Sequence, residues 1–451
     1  MRLSDPQKLS VIFIVLLSAV ILGMLGMAMD GLSASDAKKE AKPTKSGVIP
    51  ETAVAGMITA LDGESEDLFG WDAALNADGS VAVVGALCDF ERQSFHHGSA
   101  YIYLREGAVW KQAQKLVPPQ GPDMLSFGKS VTVSADGKVI VVGAYGDDYE
   151  NGNDQGSAYV YKKKGGEWVQ IQKLTYSDGG VKKESGFADG RFGCAVSVSA
   201  DGKVIMVGEY YDSFQTGKAY IYRWNGEKYK QETMISAPGA QAGDEFGYHA
   251  ALSGDGKTAL IGAGFADTGV SQDTGAAYLF TNSGASWALA QKIVKSDFPE
   301  GAYLGRGLGL SFDGSVVVLG ASGYSGLNGA ALVYEKSGTA WNLARMFFYP
   351  GEAEGMGLSI AVSSNGTLFA AGAYRSDNGG LADQGKVYLF RKTPGGWELA
   401  NKFVAQEGSS GDYFGGSVAI SADGKSLMIG EYGDDIGEAK NIGSVWWYPL
   451  K

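Results

Sequence analysis

Residues 127–148 read FGKSVTVSADGKVIVVGAYGDD, and the prediction of the fold starts from these residues. It opens on an apolar–glycine pair and alternates through KSVTVS to a turn at Asp136-Gly137. A fully apolar run, KVIVVG, follows and ends at Gly143. Asp-Gly between two such runs is the sequence signal of a two-residue β-hairpin. The stretch therefore predicts two antiparallel strands joined by a tight turn.

The same pattern recurs seven times along the chain. The apolar–glycine pair stands at Phe69-Gly70, Phe127-Gly128, Phe192-Gly193, Phe246-Gly247, Leu304-Gly305, Met356-Gly357 and Phe414-Gly415. Eight residues after each of these glycines comes a turn residue followed by glycine, namely Asp78, Asp136, Asp201, Asp255, Asp313, Asn365 and Asp423. Fifteen residues after each comes another glycine, namely Gly85, Gly143, Gly208, Gly262, Gly320, Gly372 and Gly430. Agreement at two fixed offsets in seven copies indicates seven repeats of one structural unit.

Each copy contains four predicted strands. The second copy continues with GSAYVYKKK, a turn at Gly165-Gly166 and EWVQIQKL. First strands are built from small residues, whereas third and fourth strands carry the aromatic residues. Strands near the axis of a radial array are crowded and outer strands must fill widening wedges. We therefore predict an all-β fold, a seven-bladed β-propeller of four-stranded blades.

The ends of the repeat region predict how the ring closes. The seventh copy stops after its third strand, GSVWWY at residues 443–448. Residues 53–68 precede Phe69 and align with the fourth strand that precedes Phe127. We expect the N-terminal strand to complete the last blade, which removes exposed strand edges.

Composition agrees with this fold and excludes one class of partner. The 451 residues include 68 glycines and 23 tyrosines but only 11 prolines, as expected for many short strands and tight turns. A net charge of −12 argues against nucleic-acid binding, which needs a basic surface. The two cysteines, Cys88 and Cys194, are interpreted as free or buried thiols.

The N-terminal region predicts a membrane segment. Residues 9–29 are uncharged and long enough to cross a bilayer as a transmembrane or signal-anchor helix, after a short tail at residues 1–8. Residues 30–52 are polar and form a predicted flexible linker to a propeller at residues 53–451. We expect a single-pass membrane protein with an extracytoplasmic propeller, at the cell surface or in a lumen. Cleavage after residue 28 would instead release a secreted protein.

The Phe-Gly opening and Gly-Ala closing of the copies resemble the FG-GAP repeats of the integrin α-subunit propeller, over residues 53–451. The resemblance implies a seven-bladed propeller used outside the cell for adhesion or partner binding. Two features differ from that family. Its third GAP position is never proline here, being Leu87, Tyr145, Tyr210, Gly264, Ser322, Tyr374 and Tyr432. Short turns also replace its calcium loop between the first two strands, so calcium at that position is not supported.

Acidic residues recur in the loops that precede the apolar–glycine pairs and follow the second strands. Both loop sets belong to one face, so the sequence predicts an acidic binding face for a protein partner. The alternative is that aspartate is simply a favourable turn residue. The predicted face contains Asp67, Asp89, Asp123, Asp189, Asp212, Asp244, Asp412 and Asp434.

Two further sites follow from the loops. Oxygen ligands could hold Ca²⁺, although their spacing matches no EF-hand and a solvated loop is the alternative; they are Asp147, Asp148, Asn151, Asn153 and Asp154. Asn365-Gly366-Thr367 is a sequon, so Asn365 is a candidate glycosylation site in a glycosylating compartment.

The sequence favours binding over catalysis. It contains three histidines without metal-ligand spacing and no Gly-x-Ser-x-Gly elbow, so we predict no enzyme activity and no cofactor besides the possible Ca²⁺. A protein-binding or adhesion scaffold is the first hypothesis. A carbohydrate-binding propeller and a structural subunit of a membrane assembly are the alternatives. The carbohydrate hypothesis, with a glycan as partner, depends on Tyr145, Tyr210, Tyr374 and Tyr432.

Overall fold

A computed structural model describes residues 56–89, 97–118, 125–147, 155–176, 190–211, 215–269, 271–284, 286–406 and 408–451. All of them belong to one compact unit, Ala53–Lys451. The predicted tail, membrane helix and linker lie outside the described residues. Within the described ranges, no helix is long and apolar enough to span a bilayer.

Seven four-stranded antiparallel sheets make up the described unit, which confirms the predicted all-β, seven-bladed propeller. Blade 1 contains β2 (Phe69–Leu75), β3 (Val81–Ala86), β4 (Ser99–Glu106) and β5 (Val109–Leu116). Blade 2 contains β6 (Phe127–Val133), β7 (Val139–Ala144), β8 (Ser157–Lys164) and β9 (Glu167–Leu174). Blade 3 contains β10 (Phe192–Val198), β11 (Val204–Glu209), β12 (Lys218–Trp224) and β13 (Tyr229–Ile235).

The next three blades repeat this order. Blade 4 contains β14 (Ala250–Leu252), β15 (Thr258–Ala263), β16 (Ala276–Asn282) and β17 (Trp287–Ile293). Blade 5 contains β18 (Leu304–Leu310), β19 (Val316–Ala321), β20 (Ala330–Ser337) and β21 (Ala340–Phe347), with a helical turn α1 (Tyr324–Leu327) before β20. Blade 6 contains β22 (Ile360–Val362), β23 (Leu368–Ala373), β24 (Lys386–Thr393) and β25 (Gly396–Phe403).

The last blade draws strands from both ends of the unit. It contains β26 (Ser417–Ile420), β27 (Ser426–Glu431), β28 (Ser444–Pro449) and β1 (Gly56–Ile58). Strand β1 pairs antiparallel with β28, and Met57 lies opposite Trp446. The outermost strand of blade 7 therefore comes from the N-terminal end of the unit.

The two repeated glycines meet where neighbouring blades touch. Gly193 has a φ of +92°, a conformation that residues with a side chain rarely adopt. A Cβ added to Gly143 would lie 2.0 Å from the carbonyl oxygen of Gly193 in the next blade. The same contact joins the last blade to the first, where a Cβ on Gly430 would lie 2.1 Å from the Gly70 carbonyl oxygen. The fixed spacing of these glycines thus reflects backbone packing between blades.

A second ring of contacts runs through the hairpins between first and second strands. The backbone N–H of one hairpin donates to a carbonyl of the next blade's hairpin, and the distances are 2.8–3.2 Å. The donor–acceptor pairs are Ala77–Ala135, Ala135–Ala200, Ala200–Gly254, Asp255–Phe312, Phe312–Ser364, Ser364–Ala422 and Asp423–Ala77. Seven hydrogen bonds therefore link all seven blades around the axis.

The hydrophobic core lies between blades rather than within them. Phe127 is fully buried and meets the ring of Tyr159 edge-on at 5.5 Å between centroids. The second strands are buried along their whole length, as in VIVVGA of β7. Aromatic residues on third strands fill the wedges, in agreement with the gradient predicted from the sequence.

Candidate binding site

Several side chains that flank the two glycine motifs gather at one end of the propeller axis. Lys129 follows the apolar–glycine pair of blade 2, and its ammonium lies 5.1 Å from the ring centroid of Trp71 in blade 1. It also lies 5.6 Å from the ring of Tyr248 in blade 4. Because blades 1 and 4 are not neighbours, a side chain that reaches both must lie close to the axis. We call the residues at this end the axial cluster: Trp71, Lys129, Tyr210, Tyr248, Arg306, Tyr374, Tyr413 and Tyr432.

Aromatic rings form most of the axial cluster. Trp71 and Tyr432 lie 4.9 Å apart between centroids, and Tyr432 stacks on Tyr413 at 5.2 Å. On the other side, Tyr210 meets Tyr248 at 4.8 Å. All of these side chains are half-buried, so part of each ring still contacts solvent at the mouth. The cluster is a rigid, partly apolar surface of the kind that protein interfaces use.

Two cations lie against these rings. Burial opposes the charged form of Lys129, yet the pKa of its ammonium is above the ordinary value, because Tyr248, Tyr145 and Asp72 surround it. The guanidinium of Arg306 lies 6.0 Å from the ring of Tyr248 and 5.2 Å from that of Tyr303. Such cation–π contacts hold a charge in place without neutralising it. The cluster is therefore positively charged at neutral pH, although the chain as a whole is acidic.

Asp72 and His249 lie beside the axial cluster, and the ring of His249 is 4.9 Å from that of Tyr248. Asp72 accepts hydrogen bonds from the backbone N–H groups of Val131 and Ala73, at 2.8 and 2.9 Å. Burial raises the pKa of Asp72 to about 6, against the effect of these bonds and of Lys129. Burial and the two cations lower the pKa of His249 to about 3, so this histidine is neutral at physiological pH.

The acids of the predicted binding face that the structure describes are buried, whereas residues that contact a partner are expected to be exposed. Five of the eight are described, and all five are buried, at 1–7% exposure: Asp67, Asp89, Asp244, Asp412 and Asp434. The other three, Asp123, Asp189 and Asp212, lie outside the described residues. Sequence reasoning expected solvent-facing carboxylates, and the burial corrects that expectation for the described five.

The buried acids hold their own loops. Asp67 accepts the backbone N–H of Glu64 at 2.6 Å, and Asp244 accepts that of Gln241 at 2.9 Å. Asp412 accepts the corresponding N–H of Ser409. The carboxylate thus bonds to the residue three positions earlier and fixes the turn that enters each blade. These side chains shape the face but do not project from it.

A buried triad forms after the second strand in two blades. Asp89 accepts the hydroxyl of Tyr101 at 2.7 Å and pairs with Lys115 at 2.9 Å. In blade 2, Asp147 accepts the hydroxyl of Tyr159 at 2.6 Å and pairs with the ammonium of Lys173 at 2.8 Å.

Of the five predicted calcium ligands, the structure describes only one. Asp147 belongs to the buried triad, whereas Asp148, Asn151, Asn153 and Asp154 lie outside the described residues. In the corresponding loop of blade 4, Asp267 accepts the backbone N–H of Asp273 at 3.0 Å, and blade 6 repeats this bond between Asp377 and Asp383. Across the described part of the chain, no group of three or more acidic, histidine or cysteine side chains is arranged to hold a metal ion. Calcium binding in blade 2 stays a prediction.

Asn365 lies in the hairpin of blade 6, at the opposite end of the strands from the axial cluster. Its side chain is exposed, and its Oδ1 accepts the hydroxyl groups of Ser363 and Thr367, both at 2.8 Å. Asn365 therefore holds the turn as aspartate does in other copies, and its glycosylation stays a prediction.

Sequence reasoning missed the two cations and three of the rings. Tyr413 stands directly before an apolar–glycine pair, and the other four are Lys129, Arg306, Trp71 and Tyr248. All four stand directly after the apolar–glycine pair of their copies. A comparison of that one position across the seven copies would have found them. Cys194 occupies the same position, where it is free and buried, and burial raises the pKa of its thiol to about 12.

The fold and the site define a class: a seven-bladed propeller with a cationic, aromatic mouth on its axis. The FG-GAP repeat profile matches residues 55–103, 110–161, 168–222, 229–280 and 397–448, which is more than half of the chain. The chain belongs to the FG-GAP repeat family, and the resemblance to the integrin α-subunit propeller is consistent with this match. The two copies that open on Leu304 and Met356 begin outside the matched ranges.

Solved structures show the same fold at low identity. The periplasmic gluconolactonase PpgL of Pseudomonas aeruginosa is 16% identical, with a TM-score of 0.50 over 75% of this chain and 86% of that chain. The WD40 repeats of RRP9 are 13% identical, with a TM-score of 0.52 over 88% of this chain and 97% of that chain. At such identities the likeness shows the fold alone. No curated protein matches the chain.

Proposed function

We propose that this protein is a membrane-tethered, extracytoplasmic scaffold whose propeller binds a protein partner through the axial cluster, in adhesion or in assembly. One observation carries the proposal: five blades contribute aromatic side chains to a single mouth, at Trp71, Tyr210, Tyr248, Tyr374, Tyr413 and Tyr432. Aromatic residues are enriched at the energetic centres of protein interfaces. A rigid ring of blades presents them in a fixed arrangement.

The pairing of β1 with β28 supports the scaffold role. We propose that this pairing closes the ring, because it gives the last blade its fourth strand. Ile58 is buried beneath Trp447 and Phe69 in the core between blades 7 and 1. A closed ring leaves few strand edges and resists distortion when a partner binds.

The tether is proposed from residues 9–29, whose 21 uncharged residues have the length of a membrane span. The full chain is expected to stay in the membrane pellet after extraction with alkaline carbonate. A chain that lacks residues 9–29 is expected in the supernatant. If expression of the full chain instead gives a product that carbonate releases and that lacks the N-terminal residues, cleavage and secretion would be supported.

Catalysis is not part of the proposal. His249 lies beside the axial cluster, and its pKa of about 3 makes it a poor general base at neutral pH. Burial likewise keeps the thiol of Cys194 protonated.

A carbohydrate-binding propeller is the second candidate, because tyrosine rings at a mouth can stack on sugars. Tyr210, Tyr374 and Tyr432 do lie in the axial cluster, and Tyr145 lies 5.1 Å from the guanidinium of Arg191. Many of these rings pack on one another, which leaves less free ring face for a sugar. Binding to a glycan array that is lost in a Tyr248→Ala, Tyr432→Ala double variant would favour this candidate.

Site-specific crosslinking tests the first candidate. A photoreactive residue at Tyr303, beside the cluster, is expected to capture a protein partner in intact cells, and one at the rim position Val169 is not. The double variant W71A, Y248A is expected to reduce capture, whereas the matched rim variant V169A, L343A is not. Equal capture from both positions would contradict the proposed face.

A further inference from the structure

The axial cluster contains two positive charges without a carboxylate partner. Among the described residues, no carboxylate oxygen lies within 4.0 Å of the Lys129 ammonium or the Arg306 guanidinium. Elsewhere in the chain, lysines at comparable depth are paired, as Lys173 is with Asp147 at 2.8 Å. A charge that is removed from water and left unpaired is unfavourable unless a ligand supplies the opposite charge.

The acids near the cluster do not satisfy these cations. Both carboxylate oxygens of Asp72 accept backbone N–H groups, so its interaction with Lys129 acts through space. Glu245 faces Arg306 in the same way, and burial raises the pKa of Glu245 to about 7, which leaves it partly protonated at neutral pH. Asp273, the third acid in this group, acts on Glu245.

Two buried nitrogen atoms in this region also lack a hydrogen-bond partner. The Nε of Arg306 and the Nε2 of His249 are buried and make no hydrogen bond. Buried polar atoms in native proteins almost always have a partner. An oxygen-bearing anion that reached Arg306 would satisfy its Nε and its charge together.

We propose that the axial cluster binds the carboxylate of an acidic side chain from a protein partner, with Arg306 as the main ligand and Lys129 as the second cation. The inference rests on the proposed function and names the chemistry of that same site. The rings of Tyr248 and Tyr303 flank the guanidinium and contact the apolar part of the incoming side chain. An arginine fork binds a carboxylate through two parallel hydrogen bonds.

The shape of the mouth favours a protein side chain over a saccharide. The rings pack against one another at 4.8–5.2 Å between centroids, so part of each ring face is already covered and less is open to stack on a sugar. A hollow of about 430 Å³ lies at the opposite hairpins, beside Phe312, Asn365 and Asp423. A carboxylate needs no free ring face, because it would interact with the two cations.

Calorimetric titration of the propeller with two matched peptides tests the proposal. The peptides are acetyl-Gly-Phe-Glu-Phe-Gly-amide and its glutamine analogue, whose side chain has the same shape without the charge. The glutamate peptide is expected to bind about tenfold more tightly or better, because hydrogen bonds to charged groups are the stronger ones. The difference is expected to shrink as salt rises.

Variants assign the effect to Arg306. R306Q is expected to abolish the difference between the peptides, and R306K, which keeps the charge but loses the fork, is expected to lie between R306Q and the parent chain. The control R345Q removes a guanidinium that lies 5.3 Å from the ring of Phe347 on the outer strand β21, and it is expected to change nothing. Circular dichroism melts of each variant show whether it is folded.

Three results would overturn the proposal: equal binding of the two peptides, no heat from either at millimolar concentration, or an unchanged preference in folded R306Q. Binding of a trigalacturonate that depends on Arg306, without binding of the glutamate peptide, would also overturn it in favour of an acidic sugar. If partner capture depends on Trp71 and Tyr248 but not on Arg306, the proposed function is supported and only the proposal of a carboxylate ligand is rejected.

Discussion

The backbone N–H of Asp423 donates a hydrogen bond of 3.1 Å to the carbonyl oxygen of Ala77, and this bond joins the seventh copy of the repeat to the first. The contact between Gly430 and Gly70 joins the same two blades at the other end of their inner strands. Neither contact involves β1. The inner strands therefore meet around the axis independently of the outer strand that completes blade 7.

Loss of the β1 anchor is expected to destabilise the whole ring. Ile58 is buried at 6% exposure, and Ile58→Ala should lower the free energy of unfolding by about 2–4 kcal/mol through the lost apolar contacts and the cavity. Its neighbour Met57 is 50% exposed, so Met57→Ala should cost less than about 0.5 kcal/mol. Urea denaturation measures both. Equal effects of the two variants would show that β1 does not depend on its buried face.

The interblade glycine contact predicts a strong position effect. A Cβ on Gly143 would lie 2.0 Å from a backbone oxygen that cannot move aside, so Gly143→Ala should destabilise the fold by about 3 kcal/mol or prevent folding. Gly395 has open space, with its nearest neighbouring atom at 3.7 Å. Gly395→Ala should therefore fold normally, as thermal melts and yields of soluble protein will show. A G143A melt like that of the parent chain would rule out the tight contact.

Tyr159 should stabilise the fold through its buried hydroxyl, which donates to Asp147 at 2.6 Å. Tyr159→Phe removes this hydrogen bond to a charged group and should cost about 1.5–3 kcal/mol. Tyr324→Phe removes a hydroxyl that makes no hydrogen bond in the described structure and should cost less than about 0.5 kcal/mol. Chemical denaturation compares the pair. If Y159F has the same free energy of unfolding as the parent chain, water replaces the lost donor.

Glu431 predicts a dependence of stability on pH. Its side chain is buried, accepts the indole N–H of Trp446 at 2.5 Å, and has its pKa raised to about 8 by burial and by Asp434. The folded state therefore holds a proton that the unfolded state releases near pH 4.5. Because the folded state binds more protons than the unfolded state between these two pKa values, this group's contribution to stability falls as pH rises from about 4.5 to about 8 and then levels off.

Glu431→Gln removes that titration and keeps an acceptor for Trp446. The variant should match the parent chain at pH 5 and exceed its stability at pH 9 by at least about 1 kcal/mol. The exposed Glu398→Gln serves as the control and should show the same difference from the parent chain at both pH values. The comparison of variant with parent removes the contributions of other titrating acids. Parallel curves for E431Q and the parent chain would contradict the raised pKa.

The number of blades, the four strands in each and the position of every hairpin could be predicted from the sequence alone. The reason is that the two glycines of each copy are required by backbone contacts that repeat at every blade boundary, as at Gly143 and Gly193. A local requirement that recurs at a fixed interval is visible in a single sequence. The alignment of residues 53–68 with a fourth strand belongs to the same class of signal, and β1 does pair with β28.

The sequence could not show which side chains are buried and which gather at the axis, because that depends on how the blades pack in three dimensions. Acids such as Asp67 and Asp412 look solvent-exposed in a loop sequence, but backbone N–H groups three residues earlier draw them into buried turns. Conversely, the position after the apolar–glycine pair varies from copy to copy, from Trp71 and Lys129 to Cys194 and Tyr248. Lys129, Trp71 and Tyr248 meet there because the arrangement of the blades brings blades 1, 2 and 4 to one axis. Contacts between residues so far apart in the chain leave no periodic signal in the sequence.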